Sequence, residues 1–186
     1  ISAEGLDIFG CALFRKGFRI DKPVQSATLY MSALGIGEVH INGQAVHDEY
    51  FAPGWTDYRK RVYYNTYDVS KFVRQGDNAI GAILAAGWYS GAIGWKSERF
   101  HFGRDPKLWV QLEIVTRDGE RITIVSDGTW KYTFGPHIEA EFLAGETYDA
   151  RLEIPNWSGP GLDDSQWLPA KTVDDVQSVL EAQRGV

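Results

Sequence analysis

The sequence predicts an antiparallel β-sandwich, and three observations carry that expectation. Apolar residues recur at every second position along much of the chain, Asn-Gly and Asp-Gly dipeptides punctuate those runs, and stretches of helical period are short. In Leu29-Tyr30-Met31-Ser32-Ala33 the odd positions are apolar. Val39-His40-Ile41 alternates again and runs into Asn42-Gly43, the strongest two-residue hairpin signal. Arg61 to Tyr67 reads as a strand, and Ala79 to Leu84 as the next buried one, entered through the Gly76-Asp77-Asn78 turn. Leu108, Val110, Leu112 and Ile114 point one way, with Trp109, Gln111 and Glu113 opposite. Asp118-Gly119 then turns the chain into Ile122 and Ile124, and Asp127-Gly128 closes that strand. Only Val69 to Val73, Asp163 to Trp167 and Asp174 to Leu180 suit short helical turns.

Composition narrows the function. The 186 residues suit one domain, with residues 1–175 as the sandwich and 176–186 as a tail toward a further domain. The chain opens on Ile1-Ser2-Ala3-Glu4, with neither an initiator Met nor a signal peptide, which reads as a piece of a longer polypeptide. That start leaves the compartment unassigned. Net charge is -6 with acids and bases interspersed, which argues against a nucleic-acid partner. No apolar run approaches membrane-spanning length, so no membrane partner is expected. Cys11 is alone, which excludes a disulfide framework and a thiolate metal site.

Catalytic patterns are missing. His40, His47, His101 and His137 are scattered, and satisfied surface histidines are the favoured reading of the first two. Nucleophile elbows, phosphate loops and dinucleotide fingerprints do not occur. Ser90, in Gly87-Trp88-Tyr89-Ser90-Gly91, reads as a turn residue. Glu139, Glu141, Glu146 and Asp149 form an acidic cluster, with Asp57 a fifth candidate. Glycoside hydrolysis needs two carboxylates facing each other, but surface acids are common, and no catalytic residue is assigned.

Aromatic residues say more. They make up 13% of the chain, including seven tryptophans. Trp55 follows Pro53-Gly54, Trp88-Tyr89 lies between Gly87 and Gly91, and Trp95 follows Gly94. An aromatic in a Gly-flanked loop is less easily explained by packing, and either contacts a ligand or plugs an open end of the sandwich or docks a neighbouring domain. Trp109 and Trp130 suit a core or sheet surface. Flat rings cover the C–H faces of sugars, while carboxylates accept their hydroxyl hydrogen bonds. Trp55, Asp57, Trp88, Tyr89, Glu146 and Asp149 are therefore the candidate carbohydrate-binding residues. The competing role for Glu146 and Asp149 is to satisfy backbone or pair with Arg151.

The order of segments resembles the N-terminal β-sandwich module of bacterial α-L-rhamnosidases. The resemblance rests on "LGIGEVHINGQAV" (34–46), "APGWTDYRKRVYYNTYDVSKFV" (52–73), "QGDNAIGAILAAGWYSG" (75–91), the strand at 108–115 and "SDGTWKYTFGP" (126–136). It continues through "GETYDAR" (145–151), "GLDDSQW" (161–167) and the tail "LEAQRGV" (180–186). Ala85-Ala86 stand where relatives often carry Gly-Asp before Gly-Trp-Tyr. The resemblance implies a galactose-binding-like jelly roll attached to an enzyme that removes terminal L-rhamnose with inversion. In that family hydrolysis belongs to a separate (α/α)6 barrel, so this stretch itself is expected to be non-catalytic. Some related modules bind L-rhamnose through calcium; no cofactor is required here, and calcium is the one cation the resemblance admits. Two functions stay open: a module that binds L-rhamnose-containing glycans or glycosides, or one that packs on the catalytic barrel and shapes its entrance. Aromatics sharing a concave surface with acids would favour the first, and a flat apolar patch the second.

Overall fold

The computed structural model describes residues 1–5, 10–174 and 176–184. In chain order the strands begin with β1 (Cys11–Ile20), β2 (Val24–Leu34), β3 (Ile36–Ile41) and β4 (Gln44–Ala45). They continue with β5 (Arg61–Asp68) and β6 (Gly76–Ala85), which a single helical turn, α1 (Gly87–Ser90), follows. Then come β7 (Lys107–Thr116), β8 (Arg121–Val125), β9 (Lys131–Phe134), β10 (His137–Glu141) and β11 (Gly145–Tyr148). Two short strands, β12 (Leu168–Pro169) and β13 (Val179–Ala182), end the order. Among the described residues no helix is long and apolar enough to cross a membrane.

The expected antiparallel β-sandwich is what forms. One sheet has the order β12-β9-β1-β6-β3-β4, the other β13-β5-β2-β7-β8, and β10-β11 make a separate hairpin. Alternation places one face of each strand in the core. Phe14, Val39, Ile41, Ile80 and Leu84 come from the first sheet; Leu29, Met31, Val110, Leu112 and Ile114 come from the second. All ten are at most 0% exposed. Trp130 is equally buried, and its indole N–H donates to the Val125 carbonyl at 2.8 Å, which satisfies the one polar atom it brings inside. The tyrosine-rich strand is β5, whose Asn65 and Val62 are buried on opposite faces.

Both hairpins fall where the turn dipeptides place them. Ile41 pairs with Gln44 around Asn42-Gly43, and both central residues have positive φ (52° and 84°), as a type I′ turn requires. Leu112 pairs with Ile124 across the turn that holds Gly119 at φ 88°. Four local expectations change. Residues 87–90 form α1 and not an irregular turn. Val69 to Val73 and Asp163 to Trp167 are turns closed by Phe72 N–H on Val69 and Trp167 N–H on Asp164. Asp174 to Leu180 is not helical where it is described: Val179 and Leu180 pair in parallel with Arg61 and Val62, because β5 would otherwise be an open sheet edge. Asp175 lies outside the described residues, as do residues 185–186 of the expected tail.

Gly43→Val tests the hairpin. A Cβ there would meet only Asn156 Oδ1 at 3.8 Å, an ordinary contact, so the cost is backbone strain alone. That strain is about 1–3 kcal/mol, or roughly 2–12 °C in Tm for a domain of this size. Gly43→Asn should recover most of the loss, and a thermal melt of the three proteins checks both expectations.

Candidate functional site

Five aromatic rings gather at one end of the sandwich from three separate segments. The β4–β5 connection supplies Tyr50, Phe51 and Trp55, α1 supplies Trp88, and the β10–β11 turn supplies Phe142. Trp55 and Trp88 stack with centroids 5.9 Å apart and planes within 7°, and Phe142 stacks on Trp88 at 4.4 Å. Phe51 meets both Trp88 (5.8 Å) and Phe142 (5.2 Å) edge-on, and Tyr50 adjoins Phe51 at 6.4 Å. Burial does not hold them: Tyr50 is 88% exposed, Phe51 53% and Trp55 55%. Phe51 also carries a φ of 61°, a conformation that costs a bulky residue about 1–3 kcal/mol and that concentrates at functional surfaces.

A cleft of ≈ 490 Å³ opens beside Tyr50, lined by Glu49, Asn65, Thr66, Tyr67 and Gln183. One Glu49 oxygen accepts hydrogen bonds from Asn65 Nδ2 and the Tyr67 hydroxyl, each at 2.8 Å. Burial, and then the bond to Glu49, push the Tyr67 phenol up from its ordinary range. Asn65 is only 6% exposed, yet its Oδ1 is a buried acceptor without a partner. Leaving such an atom unpaired costs about 1–3 kcal/mol. His47 stacks on Tyr67 at 4.8 Å with planes within 8°, and neither ring nitrogen finds a partner. It is thus not the satisfied surface histidine expected of it. Burial lowers its pKa, against the pull of Glu49 and Glu38.

Of the residues singled out from sequence, the fold brings Trp55 and Trp88 together on the exposed wall. Tyr89, the next residue of α1, points inward: it is 9% exposed and packs edge-on against the buried Tyr58 at 5.5 Å. Asp57 sits at the start of the turn into β5, where it bonds Arg59 Nε at 3.1 Å and Lys60 Nζ lies 3.4 Å away. The Arg59 hydrogen bond holds its carboxyl below the usual range. Asp149 caps the 3-10 turn 150–152 through Arg151 N–H and pairs with the Arg151 guanidinium at 2.6 Å. Glu146 lies away from the wall, 3.7 Å from His137. The other acids are also engaged, Glu139 with Thr147 and Glu141 with Arg99. Sequence reading missed Glu49, Asn65 and Gln183. A polar Asn among strand residues was a signal for the second, whereas Gln183 enters only through the pairing of β13.

Among the described residues no three His, Cys, Asp or Glu converge into a set that could hold a metal ion. An oxygen donor of the kind calcium takes is present in the cleft as the Glu49 carboxylate, with Asn65 Oδ1 enclosed behind the lining.

The family of alpha-L-rhamnosidase N-terminal domains matches residues 22–186. This chain belongs to that family. An alpha-L-rhamnosidase of Streptomyces avermitilis is 46% identical over 171 residues, which are 91% of this chain and 16% of that enzyme. The crystal structure of the S. avermitilis alpha-L-rhamnosidase complexed with L-rhamnose superposes with TM-score 0.88 at 44% identity, over 92% of this chain and 16% of that one. Native alpha-L-rhamnosidase from Aspergillus terreus gives TM-score 0.89 at 38% identity, over 96% and 22%. The chain thus spans 16–22% of these relatives' length.

The inward and outward residues of α1 separate by mutation. Tyr89→Ala should lower stability by about 3–5 kcal/mol, as loss of a buried aromatic does, and Trp88→Ala by much less; urea melts compare them. His47 adds a pH dependence. Its folded pKa lies below the ordinary 6.5, so the unfolded chain binds more protons in acid. Stability should therefore be complete above pH 6.5 and decline as pH falls below it, and His47→Phe, which keeps the stacked ring, should flatten that decline in melts across the range.

Proposed function

We propose that this domain recognises carbohydrate for an α-L-rhamnosidase whose hydrolytic residues lie elsewhere in the parent chain. In this reading the parent removes terminal α-L-rhamnosides with inversion in an (α/α)6 barrel, and the domain holds the rhamnosyl substrate near it. The observation that supports the reading is continuity: the aromatic wall runs through Tyr50 into a concave cleft that holds a carboxylate and an unpartnered buried acceptor. Rings cover the apolar face and methyl group of a deoxy sugar, and Glu49 accepts hydrogen bonds from its hydroxyls. A calcium ion at Glu49 would draw its remaining oxygens from backbone, water or the sugar, and would fix the sugar's hydroxyls by charge.

A second reading keeps one observation of its own. Trp55, Trp88 and Phe142 present stacked, partly exposed apolar faces, the kind of patch that packs on a neighbouring domain. Titration calorimetry of the 186-residue chain with L-rhamnose, with calcium and with chelator, separates the two. Recognition predicts saturable binding that Trp88→Ala and Glu49→Gln each weaken about tenfold, the worth of one aromatic anchor or charged hydrogen bond. Unchanged affinity in both variants, or absence of binding both with calcium and with chelator, favours packing on the barrel.

A further inference from the structure

A second cleft lies on the far face of the six-stranded sheet, away from the core. Leu13 and Ile83 are cross-strand partners of β1 and β6, and their neighbours Phe14 and Leu84 point into the core, so this pair faces outward. The segment after β11 returns across them. Trp157 lies against the sheet because residue 81 is glycine, where a Cβ would meet the indole at 2.6 Å. Arg15, 3% exposed, fastens the segment by donating to the Trp157 and Gly159 carbonyls at 3.1 and 2.9 Å and pairing with Asp164. Pro136 and Pro155 stiffen the two sides.

The segment does not close down on the sheet. A volume of ≈ 290 Å³ remains over Leu13 and Ile83, walled by Tyr148 and Trp157 and edged by His137 and Glu153. The Tyr148 hydroxyl donates to one Glu153 oxygen at 2.8 Å, and His137 meets the Tyr148 ring edge-on at 5.0 Å. This combines an aliphatic floor, aromatic walls, and a carboxylate with one oxygen left to accept. It fits a single ring with an apolar face and a hydroxylated rim. Glu146, 3.7 Å from His137, adds a second negative charge at the edge and disfavours an anionic sugar.

We propose that this cleft is a second carbohydrate subsite, for a neutral, methyl-bearing sugar unit whose methyl packs on Ile83, beside the nearly enclosed Leu13, while a hydroxyl donates to Glu153. The inference rests on the carbohydrate-recognition reading and extends it. The same hairpin serves both places: the β10–β11 turn brings Phe142 to the aromatic wall, and its base brings His137 and Tyr148 to the cleft. The five residues of β10 rise about 13 Å between them, so a short oligosaccharide could follow the hairpin from one to the other.

Amide and methyl NMR of the full 186-residue chain, titrated with L-rhamnose, reads the two sites separately. The Leu13 and Ile83 methyl signals should shift on a saturable curve that Trp88→Ala leaves unchanged. Glu153→Gln should weaken that curve about tenfold, the value of a hydrogen bond to a charged acceptor, and Tyr148→Phe should alter it while preserving the fold. L-mannose, which carries a hydroxymethyl group where L-rhamnose has its methyl, should bind there more weakly. Shifts at Leu13 and Ile83 without any at Trp88 would support this subsite and overturn the first one. No saturable shift at Leu13 and Ile83, or a curve that Glu153→Gln leaves intact, overturns the proposal.

Discussion

The arrangement of the aromatic wall depends on one buried carboxylate. Glu141 ends β10 with its side chain 3% exposed, accepts both the Ala92 N–H (3.1 Å to each oxygen) and the Arg99 guanidinium, and so ties the chain after α1 to the β10–β11 hairpin. A charge that deep costs several kcal/mol unless it is paired and hydrogen-bonded, so the hairpin has one favourable docking position. Gly91 makes that position reachable, because a Cβ there would stand 3.3 Å from the carboxylate and 2.3 Å from the Gly87 carbonyl. The hairpin belongs to neither main sheet. Its tie through Glu141 to Ala92 and Arg99 is therefore what sets Phe142 on Trp88, while the Asp149 N–H to Pro136 carbonyl bond closes its base.

The helix turn α1 divides its aromatic residues by geometry. Successive helical side chains diverge by about 100°, so Trp88 and Tyr89 cannot share a face. Tyr89 joins Tyr58, Val62 and Leu34 in a small second core, and that core carries the wall outside it. The Tyr58 phenol is pushed upward by burial and stays protonated under ordinary conditions. A ligand platform thus rests on a packed support and not on a free loop, which limits the entropy lost when the rings are engaged.

Much of this fold can be read in the chain because sheet pairing leaves a local trace. Alternation marks β2, β7 and the core face of β6, and the Asn42-Gly43 and Asp118-Gly119 turns fix the register of their hairpins. Trp55 and Trp88 could be singled out because glycine-rich surroundings are poor places to bury an indole. Other features leave no such trace. Tyr89 sits in the same glycine-flanked segment as Trp88, and only the formation of α1 turns it inward. Asp57 reads as a ligand acceptor, yet it has an arginine two residues on and folds back upon it, and for Asp149 the competing role, pairing with Arg151, is the one the fold adopts. Such a local ion pair competes with any ligand for the same oxygens.

The cleft shows why the remaining part was hidden. Glu49 belongs to the β4–β5 connection, Asn65 and Tyr67 to β5, and Gln183 follows β13, so the site exists only once the end of the described chain has returned to the middle. That return is built from parallel pairing, the one parallel pair among the described strands, which needs no hairpin turn and leaves no turn signal. Ser178 donates to the Tyr58 carbonyl, Val179 N–H bonds Lys60 at 3.2 Å, and Gln183 N–H bonds Tyr64 at 2.9 Å. Arg61 faces Glu181 across the pair at 3.5 Å. The exposed edge of β5 is thereby covered, and the same strand delivers an amide to the cleft wall. Edge protection and site assembly are one event here, so the residues that finish the sheet also finish the surface on which recognition would depend.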